Sequence, residues 1–215
     1  MKAMGKKRLF KEKAENMTPG IDYYVQPIDD SMLTWHFTVL GVEGTCYEGG
    51  MYHGYFKLPT NYPLKAPGVY FTTPNGRFGV NQSICLTMSE HHNELWTPAW
   101  SLRTMTQAVA NYMMTDEGKP SKQTLDKRKQ MAIDSNKGIC SHCGPISEIA
   151  KMIIRNRNPQ DNKQKNGSNT HKLDKVTKTA LNEPASIKQI YMLPVKKNIS
   201  YSNGSSIKTY TTKRF

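Results

Sequence analysis

A cysteine thiolate is a strong nucleophile and a soft metal ligand, so the four cysteines, Cys46, Cys85, Cys140 and Cys143, come first. Cys85 lies in a stretch from Thr73 to Trp100 that has neither helical period nor strand alternation, yet carries two tryptophans and two prolines. Aromatics this dense in an irregular segment indicate a loop packed on a core, and long ordered loops commonly carry function. Taken alone, Ile84-Cys85-Leu86 reads as a small buried hydrophobe rather than a nucleophile. His92 follows in the same stretch and could act on protons, although beside His91 it reads equally as loop surface. Pro74-Asn75-Gly76 is tight-turn sequence. Cys140-Ser141-His142-Cys143 has the spacing of half a tetrahedral zinc site. No second pair accompanies it, and His171 sits in a polar tail, so two reduced thiols and no metal are expected.

The elements that must position these groups are legible around them. Lys6 to Asn16 is rich in helix formers and ends at Thr18-Pro19-Gly20, which predicts a short basic N-terminal helix. Tyr23-Tyr24-Val25 is a short aromatic strand. Leu33, Trp35, Phe37 and Val39 alternate with Thr34, His36 and Thr38, as a half-buried strand does. Tyr52, Gly54, Phe56 and Leu58 alternate more weakly, and Val69-Tyr70-Phe71 is a fourth strand. Short glycine-rich links between them predict an antiparallel meander. His36 and His53 fall in these strands and are expected at the surface. After the loop, Ser101 is the expected N-cap of a helix that buries Leu102, Met105, Val109 and Met113. A polar helix over Thr124 to Lys137 follows. A third, opened by Gly144-Pro145, shares a face of Ile146, Ile149 and Ile153.

The formal net charge of +13 is unevenly spread. From Gln160 to Phe215, ten Lys and one Arg face three acidic residues, a net of +8. Asn, Lys, Ser and Thr dominate there with no core-forming period, so residues 159–215 are expected to form a basic, largely disordered tail. Its lysines are dispersed and lack an Arg-rich pattern, so nucleic acid is not the expected partner. No apolar run follows the basic start and no apolar stretch of about 18 residues occurs, so neither a signal peptide nor a transmembrane segment is expected.

Tyr47-Glu48-Gly49-Gly50, Tyr62-Pro63-Leu64-Lys65-Ala66-Pro67, Pro74-Asn75-Gly76, Ile84-Cys85-Leu86 and Trp96-Thr97-Pro98-Ala99-Trp100 follow one another in the order and spacing of ubiquitin-conjugating enzymes. Thr73 to Phe78 and the segment Asn93 to Ser101 resemble one branch, the tail-anchored conjugating enzymes of endoplasmic-reticulum-associated degradation, although no membrane anchor is visible here. The resemblance is good from about Lys6 to Met114, weaker to about Ile154 and absent beyond. It implies an α+β fold over residues 1–158, with an N-terminal helix, four-stranded meander, long active-site loop and C-terminal helices. It further implies a transferase that takes ubiquitin from an activating enzyme as a thioester on Cys85 and passes it to a protein substrate with a ligase. Asn75 would stabilise the oxyanion or order the loop, and His92 has a counterpart in the branch.

Lys7, Arg8 and Lys11 would face the activating enzyme and ligases, together with Leu64, Pro98 and Ala99. ATP is consumed upstream, so no cofactor is expected of this chain. The implied location is cytoplasmic, reaching the endoplasmic reticulum surface through partners. Three departures are visible: Thr73 stands where most of the family has His, Leu64 replaces a common aromatic, and Ala66 replaces a usual Pro. No acidic residue flanking the acceptor path is evident, with Asp116 and Glu117 the nearest by position. The alternatives are an inactive family variant acting as a ubiquitin or ligase scaffold, and a basic nucleic-acid-binding protein.

Overall fold

A computed structural model describes residues 3–114 and 123–157. The expected tail, the 158/159 boundary, His171 and the segment holding Asp116, Glu117 and Pro120-Ser121-Lys122 lie outside the described residues. The order is helix α1 (Ala3–Glu15), strands β1 (Tyr23–Pro27), β2 (Thr34–Leu40), β3 (Met51–Lys57) and β4 (Gly68–Phe71), then α2 (Leu102–Met114) and α3 (Leu125–Ser135). A small hairpin, β5 (Ile139–Cys140) and β6 (Gly144–Pro145), precedes α4 (Ile146–Arg157). The four long strands pair consecutively and antiparallel, as the short connections require. The fold is α+β, as the sequence implied.

Register decides which residues share a face. Trp35, Phe37 and Val39 of β2 stand opposite Phe56, Gly54 and Tyr52 of β3, and this face is buried with Leu102, Met105 and Val109 of α2. The other face carries Tyr24, His36, Thr38, Leu40, Met51 and His53. Alternation in β2 predicts that face to be half exposed, but residues 35–40 are all buried. The cover comes from much later in the chain. Ile146, Ile149, Ala150 and Ile153 of α4 form a cluster with Leu40, joined by Tyr24, Met51, Cys140 and Cys143. His36 at 8% and His53 at 2% exposure are therefore core residues, contrary to the surface position expected of them.

α1 is fastened through a buried carboxylate. Glu12 accepts from Arg8 Nε at 2.8 Å, from the Tyr62 hydroxyl at 2.7 Å and from the Leu102 backbone N–H at 2.7 Å. The last bond places a negative charge at the N-terminus of α2, where the helix dipole favours it. Ser101 caps the same helix as expected, its Oγ accepting from the Thr104 N–H at 3.2 Å. No helix of the described residues is long and apolar enough to cross a membrane.

Candidate active site

The irregular stretch from Thr72 to Ser101 is tied to the sheet and α2 at several points along its length. It begins on β3, where the Thr72 and Thr73 N–H groups both donate to the His53 carbonyl and the His53 N–H donates to Thr73 Oγ1. Gly76, at φ +75°, turns the chain in a conformation that glycine adopts without strain. Phe78 then stacks between Phe71 and Tyr112, with the Arg77 guanidinium over the Tyr112 ring. The Ile84 N–H donates to the Val69 carbonyl, which aligns the segment along the edge of β4.

That alignment sets the orientation of the thiol. Ile84 and Leu86 are each 5% exposed and anchor the segment, while Cys85 between them is exposed. The apolar neighbours that made Cys85 read as a core residue are what hold it outward. Ser89 closes the turn, exchanging bonds with the Leu86 N–H and carbonyl, and begins a single 3-10 turn, Glu90–His92. This turn brings His92 Nε2 to 3.1 Å from Cys85 Sγ.

Glu94 fixes the ring, with Nδ1 of His92 3.0 Å from its Oε1. The Glu94 backbone amide, and then His92, hold this carboxyl below its ordinary range. An ionised carboxylate only accepts, so Nδ1 is the donor to Glu94, the tautomer in which Nε2 of a neutral ring would present a lone pair to the thiol. Sequence reasoning found His92 but not Glu94; its only local signal was an acid two positions on. His91 faces away to Ser83 Oγ at 2.8 Å.

Asn75 is 1% exposed and turned into its own loop. Its Oδ1 accepts from the N–H groups of Arg77 at 2.9 Å and Phe78 at 2.8 Å, and its Nδ2 donates to the Thr73 carbonyl at 3.2 Å. All three of these bonds run within the Thr73–Phe78 turn. Cys46, in the turn between β2 and β3, is half-buried, and among the described residues no histidine hydrogen bonds to it.

The residues expected to meet protein partners divide. Lys7 and Lys11 are exposed on α1, Leu64 is 59% exposed, and Pro98 and Ala99 are exposed. Arg8 differs: its guanidinium is turned inward to Glu12 and to the Trp100 carbonyl at 2.7 Å. With the Trp96 indole N–H bonded to the Pro63 carbonyl at 2.8 Å, these contacts draw α1, the turn at Leu64 and the Trp96–Trp100 turn together.

The family described as "Ubiquitin-conjugating enzyme" matches residues 8–137. The human "Ubiquitin-conjugating enzyme E2 J1" is 38% identical over 168 residues, covering 76% of this chain and 52% of that protein. The "Ubiquitin-conjugating enzyme E2 6" of Debaryomyces hansenii is 39% identical over 133 residues, covering 61% of this chain and 55% of that one. The chain spans about half the length of these curated relatives. A solved structure of human ubiquitin-conjugating enzyme E2 G1 is similar with 26% identity and a TM-score of 0.46, covering 53% of this chain and 97% of that one. The matched segment takes in the sheet, the whole Cys85 loop and α2, more than half of the sequence, and by that match the chain belongs to the ubiquitin-conjugating enzyme family.

Proposed function

We propose that the protein is an active ubiquitin-conjugating enzyme that carries ubiquitin on Cys85 and transfers it to protein substrates. The observation that carries this reading is the exposed Cys85 thiol with Nε2 of His92 3.1 Å away. In charging, His92 Nε2 takes the thiol proton and the thiolate attacks the carbonyl carbon of the activating enzyme's thioester. The bond to that enzyme's cysteine then breaks, and its thiolate leaves with the electron pair. In discharge, His92 is neutral again after losing its proton to solvent. An acceptor amine or hydroxyl attacks the new thioester and gives its proton to Nε2, Cys85 departs as thiolate with the electron pair, and His92 passes that proton to it. Glu94 acts through His92 as a positioning residue. Asn75 keeps the preceding loop in shape, so that backbone donors stay aligned as negative charge develops on the carbonyl oxygen.

Leu64, Pro98 and Ala99, with Lys7 and Lys11 beside them, form the face for the activating enzyme and a ligase, and Arg8 positions that face from beneath. Action in the cytoplasm, at the endoplasmic reticulum surface through partners, rests on the resemblance to the tail-anchored branch. An inert scaffold has no use for an exposed thiol with a poised base. The reading is tested by incubating the chain with activating enzyme, ATP and ubiquitin. A reducible adduct should form, become stable to reductant in Cys85→Ser, and be absent in Cys85→Ala.

A further inference from the structure

The polar half of the second sheet face assembles four metal-ligating side chains from three places in the chain. His36 of β2 and His53 of β3 are diagonal neighbours, since His36 pairs with Tyr55 and His53 with Thr38. Over them folds the β5–β6 hairpin, whose turn Cys140-Ser141-His142-Cys143 ends on Gly144 at φ +78°. The donor atoms of His36, His53, Cys140 and Cys143 all lie within 4.8 Å of one another. His36 Nδ1 is 3.1 Å from His53 Nε2 and 3.4 Å from each sulfur.

Hydrogen bonding alone does not account for this convergence. A ring nitrogen has either one proton or one lone pair, yet three polar atoms crowd His36 Nδ1. Burying the imidazoles of His36 and His53 beneath a largely apolar layer is also costly without strong partners. A tetrahedral ion answers both points. Bonds of about 2.3 Å to sulfur and about 2.0–2.1 Å to nitrogen give tetrahedron edges of roughly 3.3 Å between two nitrogens and roughly 3.5 Å between nitrogen and sulfur. The three distances above fall within about 0.2 Å of those edges, and the remaining pairs, all within 4.8 Å, need to close by at most about 1.3 Å.

We propose that His36, His53, Cys140 and Cys143 form a structural zinc site of the Cys2His2 type, cross-linking the β5–β6 hairpin to the central sheet. Binding releases two thiol protons for one divalent ion, so two thiolates and two neutral imidazoles close the buried site at zero net charge. The outer contacts fit the role. Thr38 Oγ1 lies 2.8 Å from His53 Nδ1 and can accept its proton, which leaves Nε2 free to ligate. Gln26 Nε2 donates toward Cys143 Sγ at 3.6 Å, as suits a thiolate. A cavity lined by Tyr55, Thr72, Pro74 and Asp134 reaches the cluster and gives an ion a path in. His142, within the same turn, bonds to Ser141 and is outside the ligand set. The site also bears on the catalytic loop, since the His53 backbone holds Thr72 and Thr73 at its start.

The full chain, expressed with zinc in the medium and desalted into metal-free buffer, should hold about one zinc per chain in native mass and metal analysis. Cobalt substitution should give the intense absorption of a tetrahedral thiolate site. Zinc should be lost in Cys140→Ser/Cys143→Ser and in His53→Ala, and kept in His142→Ala and Cys85→Ala. A chelator should lower the unfolding temperature of the unmodified chain but not of the double cysteine variant. A folded unmodified chain without zinc, or one lighter by two hydrogen atoms through a Cys140–Cys143 disulfide, would overturn the proposal. So would zinc that survives the double cysteine substitution or departs with Cys85→Ala. None of these readouts depends on ubiquitin transfer, so the site and the conjugating activity stand or fall separately.

Discussion

Nε2 of His92 lies 3.1 Å from the thiol of Cys85, and Nδ1 of the same ring lies 3.0 Å from the carboxylate of Glu94. The arrangement places Cys85, His92 and Glu94, the proposed nucleophile, base and orienting acid, within ten residues of chain. Its consequence is that proton removal from Cys85 is local. His92→Gln should charge more slowly at neutral pH, by about a hundredfold or more, the lower end of the usual 10²–10⁴ range of acid–base contributions. Raising the pH should recover the lost rate as solvent takes over the proton. Glu94→Gln should give a smaller loss of the same form. Initial rates of thioester formation across pH check this; a His92→Gln profile that overlays the unmodified one would remove the base from the mechanism.

Asn75 is bound to the backbone of its own turn, and its removal takes the acceptor from the half-buried N–H groups of Arg77 and Phe78. Each lost bond costs about 1 kcal/mol, so Asn75→Ala should unfold at a temperature lower by several degrees, at roughly 2–4 °C per kcal/mol. The loosened loop should also slow discharge of pre-charged Cys85 more than it slows charging, because in charging the activating enzyme helps to place the reacting groups. Single-turnover discharge to free lysine is the measurement. A discharge rate within about threefold of normal, ~0.6 kcal/mol in barrier, would mean that the order Asn75 imposes is irrelevant to transfer.

The junction under the proposed partner-binding face depends on Glu12. Removing one member of a buried pair costs about 3–5 kcal/mol, and the partial exposure of Arg8 puts Glu12→Ala near the lower end. Thermal unfolding should show that loss, and binding of the activating enzyme should weaken with it although Glu12 touches no partner. The same junction gives an alkaline limit. Burial, and then the Glu12 charge, push the Tyr62 hydroxyl above the ordinary tyrosine range, and burial does the same to Tyr52. An acid whose folded pKa is raised contributes fully below its unfolded value, about 10, and that stability is lost as pH climbs past it. Unfolding temperature should therefore fall above pH of about 10; a flat profile there would mean the two hydroxyls ionise freely in the fold.

The strand period in β2 was sufficient to find Trp35, Phe37 and Val39 as core. The same period misplaced His36 and Thr38, because what covers them arrives from Cys140, 104 residues away, and local alternation carries no information about a second layer. Cys85 shows the reverse error. Ile84 and Leu86 are buried, and in an extended segment this turns the residue between them outward, whereas apolar neighbours alone suggest burial. Arg8 looked like a surface cation because nothing near it in sequence announces that Tyr62 and the start of α2 meet at Glu12. The Cys140–Cys143 pair was visible, but its companions were on strands where a lone histidine is unremarkable.

The central claim is that Cys85 is the residue that carries ubiquitin. The most direct measurement is mass spectrometry of the adduct formed with activating enzyme, ATP and ubiquitin, run on the unmodified chain and on single substitutions of each cysteine. The account requires one ubiquitin, removable by thiol, on the unmodified chain and on the Cys46, Cys140 and Cys143 variants. Cys85→Ala should carry none, and Cys85→Ser should carry one that thiol does not remove. An adduct that persists in Cys85→Ala and disappears with another cysteine would contradict it.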